Sequence, residues 1–179
     1  MEQMEIRFSG TGGQGLLLCG RLLAEALIGE GRTVAQSQSY EPTSRGGVSR
    51  SDLVVADAQV DYPLVTALDY LVVLEQSAVA VSNGLIKKGS IVIIDAARVT
   101  KPPEGDFMLH ALDLSDTARA LGNERVTNVV ALGAFSALST ACRPDSLEQS
   151  VRTGTPKRFM DLNLEALDKG AKMASAAVG

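Results

Sequence analysis

Glu5-Ile6-Arg7-Phe8-Ser9-Gly10-Thr11-Gly12-Gly13-Gln14-Gly15, running on into Leu16-Leu17-Leu18-Cys19-Gly20, decides the fold. Its first five residues read as a strand that ends at Gly10. From Gly15 to Gly31 the pattern turns helical, with Arg21, Glu25 and Gly29 forming one non-apolar stripe at spacing four. Almost everything else on that helix is Leu, Ala, Ile or Cys, so it should be buried on most of its circumference. A strand that passes through a glycine turn into a buried helix is the opening of a βαβ unit.

Outward from this stretch the alternation continues. Thr33 to Ser39 reads as a second strand, followed by the turn-rich Glu41-Pro42-Thr43-Ser44-Arg45-Gly46-Gly47, and Asp52 to Asp57 as a third. Asp69 to Glu75 and Ser90 to Asp95 are continuous apolar runs, which implies strands buried on both faces. Between them Ser77 to Lys88 is expected to be a helix closed by Gly89. Phe107 to Asp113 alternates, as a strand nearer a sheet edge does. Asn128 to Ala141 reads as a buried helix, Ser146 to Val151 as a short surface helix and Leu162 to Ala177 as a terminal one. The expectation is a single α/β domain over residues 1–179, with a doubly wound, mostly parallel sheet and helices on both faces.

Composition narrows the function. The 179 residues carry a net charge of −4 with no cluster of Lys and Arg, which argues against nucleic acid as a partner. No apolar run reaches the length of a membrane span, and the acidic N-terminus is unlike a signal peptide, so a cytoplasmic protein without a membrane partner is expected. Cys19 and Cys142 lie far apart in apolar helical patterns and read as core residues. They make no disulfide framework, zinc site or iron–sulfur cluster, and no metal site is expected.

Gly10-Thr11-Gly12-Gly13-Gln14-Gly15 satisfies G-x-G-x-x-G between a strand and a helix. Glycines allow positive φ and close ligand approach, and a helix N-terminus offers free N–H groups and partial positive charge, so the loop suits a phosphate or carboxylate. A dinucleotide site also asks for an acid at the end of the second strand, where Gln36-Ser37-Gln38 stands. Glu30, the acid at about the right spacing, falls in the last turn of the first helix. The bland alternative is that the glycines serve only close strand–helix packing. Arg45-Gly46-Gly47 offers a bidentate donor beside flexible backbone, or simply a solvated turn. Both glycine loops follow expected strands and so could meet at one end of the sheet. His110, the single histidine, shares a face with Met108 and Leu112 and reads as structural. Asn128 reads as an N-cap, its amide alternatively free for a ligand or partner. Asp95 ends a buried strand and could face the ligand edge. No nucleophile elbow, P-loop lysine or paired acids are present, so no residue is assigned as catalytic and the chain looks chemically incomplete alone.

Together, Phe8 to Gly15, Arg45-Gly46-Gly47 and Asn128-Val129-Val130-Ala131-Leu132-Gly133-Ala134 resemble the gamma subunit of 2-oxoacid:ferredoxin oxidoreductases, over nearly the whole chain. Tyr40 to Asp52, followed by Asp61-Tyr62-Pro63, is most similar to the 2-oxoglutarate-type subunits. The resemblance implies a Rossmann-like domain in a multi-subunit complex with alpha, beta and delta (ferredoxin-like) subunits. That complex converts 2-oxoglutarate, coenzyme A and oxidised ferredoxin to succinyl-CoA, carbon dioxide and reduced ferredoxin. Thiamine diphosphate, Mg²⁺ and the iron–sulfur clusters would sit on partner subunits, and the isolated chain would be inactive. Gly10, Gly12, Gly13, Gln14 and Gly15 would then form a ligand-facing loop on the coenzyme A side of the site, with Arg45, Gly46 and Gly47 facing it and Asn128 opening the helix behind. The rival reading is a free-standing dinucleotide- or nucleotide-binding protein.

Overall fold

A computed structural model of the chain describes residues 3–41, 47–60 and 62–178. In chain order the elements are β1 (Met4–Thr11), α1 (Leu16–Gly29), β2 (Thr33–Tyr40), β3 (Val48–Ala56), β4 (Leu68–Val73), β5 (Ile86–Asp95), β6 (Met108–Leu112), α2 (Leu114–Ala120), α3 (Thr127–Leu138), α4 (Pro144–Gly154) and α5 (Lys157–Val178). Six strands form one sheet in the order β2-β3-β1-β4-β5-β6. The β1–β4, β4–β5 and β5–β6 pairs are parallel, whereas β3 runs antiparallel to both β1 and β2. The reversal of β3 follows from its connection: residues 41–47 are too few to carry a crossover and can only turn the chain back.

Alternation along β1 separates the two faces. Ile6 and Phe8 point to the larger core, where Phe8 meets Phe135 with ring centroids 5.9 Å apart and all five α-helices bury their apolar sides. Glu5, Arg7 and Ser9 point the other way. Arg7 makes a bidentate pair with its cross-strand partner Asp52 (Nε–Oδ1 2.7 Å, Nη2–Oδ2 2.8 Å) and donates to the Val81 carbonyl at 2.9 Å, while Ser9 Oγ donates to the Ala78 carbonyl at 3.2 Å. That second face has its own small core of Leu71, Val73, Val92, Ile94, Val79 and Val99. Helices on both faces are thus realised unequally: among the described residues, α-helices cover one side and 3₁₀ turns the other.

Those turns correct the expected helix over Ser77 to Lys88. The segment folds as 3₁₀ turns at Gln76–Ala78 and Ala80–Ser82, and Gly89 lies inside β5 at φ 77° instead of closing a helix. Val79 and Val81 disfavour a helix, and Asn83-Gly84, with Gly84 at φ 77°, forces the turn that leads into β5. The strand is accordingly longer than its apolar run. α3 and α5 cross backbone to backbone: a Cβ on Gly133 would meet the Leu167 carbonyl, and one on Gly170 the Val130 carbonyl.

Candidate functional site

After β1 the chain builds β2 and β3 on one side and β4 to β6 on the other, so the carboxyl end of β1 is the switch point of the sheet, the place where ligands of doubly wound folds bind. The glycine loop sits there. Gly13 (φ 91°) and Gly15 (φ 73°) are left-handed, a conformation that side chains rarely adopt. Gly15 starts α1 without any side-chain cap, and the first turn holds no acid. The opening N–H groups of α1 therefore keep their positive potential toward solvent.

Gln14 lines the smaller of the two clefts beside this loop, and its side-chain amide is spent on the backbone. Its Oε1 accepts the Thr11 N–H at 2.8 Å and its Nε2 donates to the Leu74 carbonyl at 3.3 Å, bracing the loop from inside. Gly10 lies beneath it, and a Cβ there would push that amide oxygen aside. Asn128 is not an N-cap either. It lies inside α3, buried, and its Nδ2 donates 3.1 Å to the Gly15 carbonyl while Oδ1 accepts the Val129 N–H at 3.0 Å. It fixes the residue just before α1 from below, and a Cβ on Gly15 would displace it. The two glycine loops do meet: Gly12 N–H donates to the Gly47 carbonyl at 3.1 Å. Arg45 and Gly46 lie outside the described residues.

Gly13 stands between two clefts. The smaller, about 260 Å³, is lined by Thr11, Gln14, Leu74, Arg98, Glu124 and Arg125 among others. Arg98 is held there by Glu75 at 3.0 Å and by Glu124, with Asp95 at 3.8 Å. Its hydrogen bond to Glu124, then Glu75, raises its already high pKa, and the same guanidinium lowers that of Glu124. Arg98 is thereby neutralised in place, and Arg125 is the lining cation without an ion pair among the described residues. The larger cleft, about 460 Å³, is walled by Leu18, Val126, Pro156, Phe159 and Leu162, with Asn163 among them. Sequence reading singled out neither Arg98 nor the apolar wall. Both are assembled from segments that meet only through the fold.

The other candidates lie elsewhere. Glu30 is at the far end of α1 from the glycine loop, where its carboxylate accepts the Arg143 N–H at 2.8 Å. His110 sits on the outermost strand opposite Ile93 and lines neither cleft. Asp95 is buried, its Oδ1 within reach of the Ala97 and Ser115 N–H groups at 3.3 and 3.4 Å. Burial pushes the Cys19 thiol far above its ordinary pKa and that of Cys142 to about 12, as inert core thiols behave. Among the described residues no group of three His, Cys, Asp or Glu is placed to hold a metal, and no helix is long and apolar enough to cross a membrane.

Fold and loop geometry together define a Rossmann-like α/β unit with a glycine loop at the switch point of a mostly parallel sheet. The chain belongs to the pyruvate ferredoxin/flavodoxin oxidoreductase family, whose profile matches residues 5–173. It is 36% identical over 174 residues to the 2-oxoglutarate synthase subunit KorC of Methanocaldococcus jannaschii, spanning 95% of this chain and 93% of the relative. The keto/oxoacid ferredoxin oxidoreductase gamma subunit of Geobacter sulfurreducens superposes with a TM-score of 0.90 at 40% identity over 99% of both chains. The 2-oxoglutarate:ferredoxin oxidoreductase of Magnetococcus marinus shares the fold, with a TM-score of 0.86 at 23% identity, over 98% of this chain and 32% of that one.

Proposed function

We propose that this chain is the gamma subunit of a thiamine-diphosphate-dependent oxidoreductase that takes 2-oxoglutarate, coenzyme A and oxidised ferredoxin to succinyl-CoA, carbon dioxide and reduced ferredoxin. Its own contribution is to hold an anionic part of coenzyme A at the start of α1. The observation that carries this is the uncapped α1 terminus, entered through left-handed Gly13 and Gly15 and tied to Gly47 beside two clefts. Backbone N–H groups aimed from a helix start bind phosphate without a positive side chain, and Arg45 on the facing loop would add a bidentate donor.

Thiamine diphosphate supplies the decarboxylation chemistry, and it belongs to partner subunits together with Mg²⁺ and the iron–sulfur clusters. Two cysteines are fewer than a cluster takes, which fits that division of labour. The alpha, beta and ferredoxin-like delta subunits would complete the site, and the isolated chain would turn nothing over. The KorC relative in particular supports the 2-oxoglutarate branch.

The test is to purify the tagged chain anaerobically from its native host and assay viologen reduction with 2-oxoglutarate and pyruvate side by side, with and without coenzyme A. Coenzyme A-dependent reduction with 2-oxoglutarate is the expected result. Reduction with pyruvate alone would overturn the branch, and a partner-free chain with no activity would overturn the whole reading. In the assembled complex Arg45→Ala should raise the KM for coenzyme A, and unchanged kinetics would remove Arg45 from the site.

A further inference from the structure

We propose that the free edge of β2 is a docking surface for a second copy of this chain, the two β2 strands pairing antiparallel about a two-fold axis at Ser37.

β2 ends the sheet, so one of its sides is answered by β3 and the other by nothing among the described residues. Edge strands are guarded by charge, proline, a bulge or brevity. β2 has none of these. Its eight residues, Thr33-Val34-Ala35-Gln36-Ser37-Gln38-Ser39-Tyr40, carry no charge and no proline, and they pair with β3 without a register shift. The opposite edge strand, β6, is only five residues long. The direction of the spare backbone groups is fixed by the ladder. Glu41 N–H donates to the Val48 carbonyl at 3.0 Å, so the odd-numbered residues of β2 turn their N–H and C=O groups to β3. Val34, Gln36, Gln38 and Tyr40 turn theirs outward.

The occupant follows from the symmetry of the strand. A two-fold axis perpendicular to the sheet sets each outward residue against another outward residue. About Ser37 the sequence nearly repeats itself in reverse: Gln36 falls opposite Gln38, Ala35 opposite Ser39 and Val34 opposite Tyr40 of the other copy. Amide meets amide, small meets small, and a β-branched side chain meets an aromatic one, a favourable cross-strand pair. Charge agrees with this arrangement. Arg32 precedes the strand and Glu41 follows it, so antiparallel pairing brings the basic end of one copy to the acidic end of the other. Arg32 holds Asp57 through Nε at 2.7 Å and leaves both Nη nitrogens without a partner among the described residues. Apolar surface lies along the same edge. Tyr40 is 56% exposed, and on α1 Leu17 and Ile28 are 50% and 57% exposed at helical spacing. Their flank of α1 adjoins β2, where the Gln36 amide donates to the Leu17 carbonyl at 3.4 Å. The same axis sets the Leu17 end of one α1 toward the Ile28 end of the other.

The test is the oligomeric state of the purified full chain, read by light scattering after size exclusion, and the expected result is a dimer. Ser37→Lys sets two ammonium groups against each other at the axis while facing Asp52 within its own chain. It should raise the dissociation constant of the dimer at least about tenfold. Ser37→Cys should join two copies through a disulfide on mild oxidation, because residues opposed across an antiparallel pair stand within the span of that bond. Cys19 and Cys142 are buried, so the wild-type chain should give no such product. The same link between two copies is expected in the assembled complex. A monomeric wild-type chain overturns the proposal. So does a dimer that Ser37→Lys leaves intact or that Ser37→Cys does not cross-link, since its interface lies elsewhere. A complex in which Ser37→Cys joins this chain to a different subunit, or to none, overturns it as well. If Ser37→Lys does not fold, the Ser37→Cys cross-link decides alone.

Discussion

At its first turn α1 begins from left-handed Gly15 with no side-chain cap and no acid in the turn, whereas at its last turn the Ala26, Leu27 and Ile28 carbonyls all find partners. There Glu30 N–H donates to Ala26 and Arg32 N–H to Leu27, at 3.1 and 3.0 Å. The Glu30 carboxylate accepts the Arg143 N–H at 2.8 Å, lies 3.4 Å from the Arg143 guanidinium and takes a hydrogen bond from the Cys142 thiol. The same helix thus carries a closed end and an open one. What separates them is whether the orphan groups of a helix terminus are answered by the protein. An open end at the switch point, braced from beneath by Asn128 and Gln14, is what a binding site requires. A closed end at the far side serves only stability.

That contrast can be broken first at Gly15. Gly15→Val should cost about 3 kcal/mol of stability, because a β-branched residue must take a left-handed backbone and displace Asn128. Chemical denaturation of the isolated chain measures it, and a loss below about 1 kcal/mol would mean that the loop relaxes at little cost. Asn128→Leu should cost about 1–2 kcal/mol by the same measurement, as the Gly15 carbonyl loses its side-chain donor. It should also weaken coenzyme A in the complex, since the first turn of α1 is no longer held.

The closed end should respond differently. Desolvation pushes the Glu30 carboxyl up, but hydrogen bonds from Ser146, the Arg143 backbone and Cys142 outweigh it and hold the pKa below the usual carboxylate range. A depressed carboxylate stabilises the fold above its unfolded pKa and loses that stabilisation as pH falls. The stability difference between the wild-type chain and Glu30→Gln should therefore be full at neutral pH and shrink below about pH 4.3, with the KM for coenzyme A untouched. A difference that grew on acidification would contradict the assigned hydrogen bonds. The smallest expected effect is at the thiols: Cys19 and Cys142 should resist alkylation at pH 8 in the native chain and react once it is unfolded, because burial keeps both protonated.

Much of this contrast was written locally. The passage from Phe8 through Gly15 into Leu16 announces strand, turn and helix because each residue's own preference agrees with its neighbours. The apolar runs of β4 and β5 announce buried parallel strands in the same way. The segment Ser77 to Ser82 was misleading, since Ala and Val in short alternation fit a helix or a 3₁₀ roof equally well until Asn83-Gly84 is given its weight. The roles of Asn128 and Glu30 were beyond local reading. Each acts on a carbonyl or N–H 113 residues away, and no spacing in the chain encodes that meeting. The apolar cleft was hidden for the same reason, as Leu18, Val126 and Phe159 come from three separate helices and turns.

The most direct test of the open end is hydrogen exchange of the assembled complex with and without coenzyme A, read residue by residue along α1. Coenzyme A should slow exchange of the amides from Gly13 to Leu18 and leave those from Ile28 to Arg32 unchanged. Equal protection at both ends, or none at the first turn in a complex that turns over coenzyme A, would contradict the account.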